Sequence, residues 1–244
     1  MNFSQIAQFM KQLQGKIGSG SLASIEAQTN PHHIALLKQV QKEIQEEQIL
    51  TVPFKNLNVV VVDIETTGFF PEQGDQILSI GAIKVRGEEI LENQTFYSFV
   101  QYDKEISPEI KNLTGITEKE VNGAPPLSEV LVQFLEYVGH STLVAHHANH
   151  EKNFFEFATW KLFRSNFKRR ILDTSFLIRV AEPENIHTRL EDYCEACGIE
   201  VENRHHALGD AKMAAKLWSI YLKKVQMLGC NNLRDLYRCL AKLG

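Results

Sequence analysis

Residues 59–68 read Val-Val-Val-Val-Asp-Ile-Glu-Thr-Thr-Gly, and no other stretch restricts the fold as much. Four consecutive β-branched residues predict a strand buried on both faces. Such a strand should not end in two carboxylates unless something compensates their charge. Asp63 and Glu65 are two apart, so at strand periodicity they point to the same side. Thr66, Thr67 and Gly68 break the run, and Gly68 permits a tight turn. Parallel acids at the mouth of a buried strand suit a hard divalent cation bound through oxygen. An acidic turn following a strand is the plainer alternative.

The rest of the chain limits what this strand can serve. A length of 244 residues accommodates one substantial domain and an appendage, and 43% hydrophobic residues support a sizeable core. The net charge of −4 gives no global basic field, so any nucleic-acid contact must rely on local charge. No apolar run approaches the roughly 20 residues needed to span a bilayer. The N-terminus lacks a basic segment followed by an apolar one, so no secretory signal is read. A cytoplasmic setting, with no membrane partner, is expected. The four cysteines, at 194, 197, 230 and 239, are then read as reduced thiols.

Residues 1–50 read as a helical N-terminal extension, and 51–244 as the main domain. Phe3, Ile6, Met10, Leu13 and Ile17 recur at helical spacing. Gly18-Ser19-Gly20-Ser21 reads as a break, and Asn30 with Pro31 as the start of a second helix. This pair should dock on the main domain, a second copy or a partner. Strands are predicted over 58–63, 76–85 and 90–100, with a turn at Arg86 and Gly87, giving an antiparallel meander. Helices then alternate with short strands. Helices are predicted over 108–113, 126–138, 151–163, 174–180, 190–197, 208–225 and 231–243, and strands over 141–145 and 170–173. The expected class is α/β, a mixed sheet covered by helices.

Two further segments bring carboxylates to element ends. In Leu-Val-Ala-His-His-Ala-Asn-His-Glu, residues 143–151, a strand runs into a polar crossing with Glu151 at a helix start. In His-His-Ala-Leu-Gly-Asp-Ala, residues 205–211, Asp210 falls in the first turn of a long helix. Each acid alone reads as a helix cap favoured by the dipole. Lys161, Arg164, Lys168, Arg169 and Arg170 form a basic cluster, either a phosphate track or a solvated face. Cys194 and Cys197 have zinc-knuckle spacing, but no second pair completes a site, so packing is the expected role.

Together these segments resemble the motifs of the DEDDh (DnaQ-like) 3′–5′ exonucleases, in particular DNA polymerase III epsilon-type exonuclease domains. Asp63-x-Glu65-Thr66-Thr67-Gly68 matches the first motif and His205-x-Ala-x-x-Asp210-Ala the third, while Leu113 to Thr117 and Asp173-Thr174 also look like family sequence. The likeness covers roughly 58–222. The second motif departs from the family's His-Asn-Ala-x-Phe-Asp. Here it reads His146-His147-Ala148-Asn149-His150-Glu151, with glutamate for the final aspartate, His147 for asparagine and His150 for phenylalanine.

The resemblance implies a ribonuclease-H-like fold: a mixed five-stranded sheet, an antiparallel meander plus two parallel strands, flanked by helices and carrying the N-terminal extension. It implies two divalent metal ions, Mg²⁺ or Mn²⁺, about 4 Å apart to stabilise attacking and leaving oxygens. Asp63 would bridge them, Glu65 and Asp210 would complete the first site, and Glu151 would act near the second. His205 would be the base, its intrinsic pKa of about 6.5 suiting a proton transfer near neutral pH; His206 is the adjacent alternative. The Thr66-Thr67 backbone and Glu65 would hold a terminal 3′-OH, Leu113 and Thr114 would lie near the last base, and His146 and His147 would face substrate. The implied reaction is hydrolysis at the 3′ end of nucleic acid, releasing nucleoside 5′-monophosphates. DNA is favoured over RNA because the Leu113–Thr117 segment resembles the polymerase-associated branch. If residues 1–50 dock on a partner instead of the main domain, a polymerase or repair protein is the candidate. The alternatives are a 3′–5′ exoribonuclease and, given the altered second motif, a catalytically weakened nucleic-acid-binding module.

Overall fold

The structure is a computed structural model that describes residues 49–243. The two helices expected before residue 48 lie outside the described residues. Five strands form one sheet in the order β3-β2-β1-β4-β5. β1 (Asn58–Thr66), β2 (Ile77–Arg86) and β3 (Glu89–Phe99) are the expected antiparallel meander. β4 (Thr142–Ala145) and β5 (Ile171–Asp173) run parallel to β1. The helices are α1 (Pro108–Thr114), α2 (Glu118–Val121), α3 (Leu127–Val138), α4 (Asn149–Phe163), α5 (Thr174–Ala181), α6 (Leu190–Ala196), α7 (Ala207–Met227) and α8 (Leu233–Leu243). The short α2, closed by a Thr117–Glu120 capping box, was not expected from the sequence.

β1 sits at the centre, and its residues alternate between two cores. Val59 and Val61 join the cluster that includes Met213, Leu217, Trp218 and Tyr221 of α7. Val60, Val62 and Ile64 join the cluster built on Val130, Phe134, Phe154 and Phe155 of α3 and α4. All four valines are at most 1% exposed, each contributing about 1.5–3 kcal/mol by burial. The parity continues past the valines, so Asp63 and Glu65 fall on the α7 side. Ala207, Ala211, Ala214 and Ala215 are the small buried residues of α7 and let it lie close to the sheet.

That approach is closest at Gly81. A Cβ on Gly81 would fall 2.1 Å from the Leu208 nitrogen and 2.2 Å from the Ala207 carbonyl carbon. Gly81 pairs with Asp63 on one side and with Tyr97 on the other. The N-terminus of α7 therefore rests on this bare position, beside Asp63.

Two sequence expectations change and a third holds. Ile49, Leu50 and Val52 pack against the α7-side core, and the Phe54 N–H donates to the Asn231 carbonyl at 2.8 Å, so the last residues assigned to the extension belong to the domain's packing. The basic cluster is no uniform phosphate track. Arg169 is 7% exposed and donates to the Gly139 carbonyl at 3.0 Å, while the Arg170 guanidinium lies 5.8 Å from the Tyr237 ring centre. Cys194 is a core residue, as expected, and the Cys230 and Cys239 thiols are free and 3.4 Å apart. Among the described residues, no helix is long and apolar enough to cross a membrane.

Candidate active site

The C-terminal ends of three parallel strands meet at one edge of the sheet. β1 delivers Asp63 and Glu65, β4 leads into the His146–Glu151 crossing, and β5 ends on Asp173. The start of α7 closes this edge with Asp210. One carboxylate oxygen from each of Asp63, Glu65 and Asp210 lies within 4.8 Å of the others. The acids separated by nearly 150 residues of sequence thus converge, through the β1 parity and the Gly81 contact.

Glu151 occupies the first turn of α4, 2% exposed, and its Oε2 has no hydrogen-bond partner. Asp210 is 3% exposed and its Oδ1 is likewise unpartnered. Buried carboxylate oxygens without partners are costly, and several together demand positive charge. Burial, followed by Glu151, Asp210 and Glu65, holds Asp63 well above the usual carboxylate range. Burial, then Asp210, pushes Glu65 to about 8. Burial, then Asp173 and Glu65, pushes Glu151 to about 8. Burial raises Asp210 to about 6 against the opposing pull of Arg204. This donor set, all oxygen and with Arg204 as the one cation paired to it among the described residues, fits hard divalent cations.

A pH dependence follows. In the metal-free protein these carboxyls hold protons more tightly than they do in the unfolded chain. The folded state is therefore the better proton binder between the ordinary carboxylate values and about 8. Stability is highest below that window and falls as pH rises through it. Thermal unfolding in EDTA should show a midpoint decreasing from about pH 5 to about pH 8, with Mn²⁺ stabilising most at the upper end. A midpoint that rises across this range without metal would contradict the arrangement of the acids.

The two adjacent histidines of the third motif differ. His206 caps α7, its Nδ1 accepting the Gly209 N–H at 3.3 Å, and its ring stacks on Tyr97 with centres 4.6 Å apart. His205 has a left-handed backbone, φ 61°, and its N–H donates to Asp210 Oδ2 at 3.3 Å. Its ring remains partly exposed, and burial followed by the neighbouring Arg204 charge keeps it below the usual imidazole range. The shift favours the unprotonated ring, the form that accepts a proton.

The second motif is anchored from below. Asp173 accepts the Ala148 N–H at 2.9 Å and the Ser175 N–H at 2.8 Å, tying the crossing to α5. His146 Nδ1 lies 2.7 Å from the Thr174 hydroxyl, and its Nε2 is buried without a partner. Burial, then His147, lowers His146 to about 4. His147 is left-handed as well, φ 61°, and its Nε2 donates to the Thr188 carbonyl. His150 Nε2 lies 3.4 Å from the Thr66 hydroxyl, with its ring edge-on to Phe69.

Other expected substrate contacts separate in the structure. The Thr66 hydroxyl donates to the Gly68 carbonyl at 2.6 Å. Thr67 has both donors committed, its N–H to the Gln76 carbonyl at 2.9 Å and its hydroxyl to Asp75 Oδ1 at 3.3 Å. Gly68 serves space rather than turn conformation, because a Cβ there would meet the Asp75 carboxylate at 2.3 Å. Leu113 is 49% exposed at the end of α1, while the Thr114 hydroxyl donates to the Ile110 carbonyl of the same helix. Phe69 and Phe70, 74% and 52% exposed, directly follow the first motif and were not singled out from the sequence. Arg204 was also missed. Its Nη1 pairs with Asp210 Oδ2 and its Nε donates to Glu191 Oε2 at 3.2 Å. The signal for Phe69 and Phe70 was two large apolar residues beside a polar motif; Arg204 had only its position before His205.

Comparison with known proteins places these features in context. The family model RNase_T, described as "Exonuclease", matches residues 60–218. DNA polymerase III PolC-type of Clostridium perfringens is 38% identical over 167 residues, covering 68% of this chain and 11% of that protein. The PolC-type protein of Caldanaerobacter subterraneus is 35% identical over 177 residues, covering 72% and 12%. The chain thus matches only about a ninth of the length of these relatives. Among solved structures, the nuclease domain of 3′hExo bound to rAMP superposes with a TM-score of 0.62 at 18% identity, covering 75% of this chain and 96% of that one. Exonuclease X in complex with 5′ overhanging duplex DNA gives 0.56 at 22% identity, covering 73% and 98%. At these identities the superpositions show a shared fold.

Proposed function

This chain belongs to the RNase_T exonuclease family, and from that membership we propose that it hydrolyses phosphodiester bonds at the 3′ end of DNA, releasing nucleoside 5′-monophosphates. The observation carrying the proposal is the meeting of Asp63, Glu65 and Asp210 within 4.8 Å; Glu151 is not in that group, but its charge acts on Asp63 and its buried Oε2 has no partner. A lone structural acid needs no such company.

Asp63, Glu65, Asp210 and Glu151 would hold two divalent ions, Mg²⁺ or Mn²⁺. Bound there, the ions supply Lewis-acid stabilisation of charge on the attacking and leaving oxygens. The chain's own groups do the rest. His205, neutral and partly exposed, takes the proton of the attacking water, and its N–H steadies the Asp210 carboxylate. His206 is occupied as a cap and serves the helix. Exposed Phe69 and Phe70 offer faces on which bases can stack without regard to identity. Glu65 and the Thr66 backbone are the remaining candidates to hold the 3′-OH, since both donors of Thr67 are committed. His146 and His147 support the crossing through Thr174 and Thr188.

DNA is favoured because the matched relatives are named as DNA polymerases. RNA is the second reading, supported by a neighbour whose nuclease domain holds rAMP. The test is a 5′-labelled single strand, as DNA and as RNA, incubated with Mg²⁺ or Mn²⁺. A ladder shortening from the 3′ end, faster on DNA and stopped by EDTA, is expected. Strands bound but never shortened, with either metal, would leave a binding module in place of an enzyme.

A further inference from the structure

Arg204 is the one cation in contact with the acid cluster among the described ion pairs, and it occupies an oxygen of Asp210. Its Nε simultaneously reaches Glu191 Oε2 at 3.2 Å, and the other oxygen of Glu191 is held by Arg189 Nη2 at 2.8 Å. The Arg204 side chain is 28% exposed and the Asp210 side chain 5%. Asp210 is thus the fixed member and Arg204 the one with room to move.

The charges suggest why the fork exists. Asp63, Glu65, Glu151 and Asp210 carry up to four negative charges, which two divalent cations balance completely. A guanidinium left on Asp210 is then surplus and repelled at short range in a site shielded from water. Without the cations, the same guanidinium is the one positive charge paired with the cluster among the described residues. Glu191, already contacted, is the place for it to go.

We infer that Arg204 is a resident counter-ion of the acid cage, held on Asp210 Oδ2 while Oδ1 stays open to a cation, and that the charge of bound divalent cations drives it over to Glu191. This rests on the proposed metal cage and extends it: the chain sets its own metal affinity through a side chain that binds no metal. Arg204 is in this sense a positioning residue. It holds Asp210 while no cation is bound and yields when the cations arrive.

Calorimetric titration of the full chain with Mn²⁺, in the absence of nucleic acid, tests this. Arg204→Ala should bind Mn²⁺ at least about tenfold more tightly, the scale of one hydrogen bond to a charged group, while melting at a lower temperature in EDTA. Glu191→Gln should bind Mn²⁺ more weakly, because the guanidinium loses its alternative partner. The opposite directions keep the test decisive even if Arg204→Ala fails to fold, since Glu191→Gln retains every atom of the cage. Unchanged or weaker binding in Arg204→Ala, or unchanged or tighter binding in Glu191→Gln, would overturn the inference. Asp210→Asn separates the two levels: if wild type binds no Mn²⁺, or Asp210→Asn binds it equally well, the cage itself is wrong.

Discussion

Replacing His205 with alanine should slow strand shortening by about 10²–10⁴-fold, the range for loss of a general base, with Mn²⁺ affinity essentially retained. The contact made to Asp210 comes from the His205 backbone N–H, which alanine keeps. The imidazole is what disappears. The left-handed backbone at this position, φ 61°, is tolerated less well by alanine, so a modest loss of stability accompanies the change. His206→Ala should behave differently. It removes the acceptor for the Gly209 N–H and the stack on Tyr97, costing about 0.5–2 kcal/mol as a lost helix cap. Its chemistry should survive wherever the protein is folded. The pair of variants, assayed for turnover and thermal stability side by side, assigns one histidine to the reaction and its neighbour to the helix. Equal activity losses in both would remove His205 from the proposed role.

Gly81→Ala is expected to be the most damaging single-methyl change in the molecule. The added carbon would stand 2.1 Å from the Leu208 nitrogen, against backbone that cannot rotate away. Either β2 or the first turn of α7 must shift. Overpacking ordinarily costs about 1–3 kcal/mol, and a clash with the backbone of both Ala207 and Leu208 belongs at the upper end or beyond. The consequence reaches the site directly, because Gly81 pairs with Asp63 and the displaced turn carries Asp210. A displacement near 1 Å in a reacting constellation costs about 10²-fold in rate. Gly81→Ala should therefore lose activity and Mn²⁺ affinity together, although it touches no reacting group. A variant that kept both would show that α7 is not seated on β2 as described.

The antiparallel meander and the first two acids were legible because local patterns encode them, whereas Glu151 and Asp210 joined the set only through the family resemblance. Two-residue alternation through the valines places Asp63 and Glu65 on one side, and the structure puts both on the α7 face. The helices over 127–138 and 207–227 announce themselves by apolar spacing. What the sequence withheld depends on contacts distant along the chain. Gly81 falls within the strand predicted over 76–85, and only the folded chain shows the helix lying against it. Gly68 was read as a turn residue, whereas the Asp75 carboxylate claims its space. Thr67 looked free to meet substrate until Gln76 and Asp75 took its donors. Arg169 looked like surface charge and is buried against the Gly139 carbonyl. Arg204 carried no pattern at all; its meaning comes from the two acids on either side of its guanidinium.

The central claim is that side chains from three distant segments form a cage for divalent cations. Crystals of the full chain grown with Mn²⁺ and a nucleoside 5′-monophosphate, measured at the manganese absorption edge, test it most directly. Two anomalous peaks bounded by Asp63, Glu65, Glu151 and Asp210, with Arg204 drawn over to Glu191, are the predicted result. Manganese absent from this cluster while bound elsewhere, or a nucleotide held with no ion among the four acids, would contradict it.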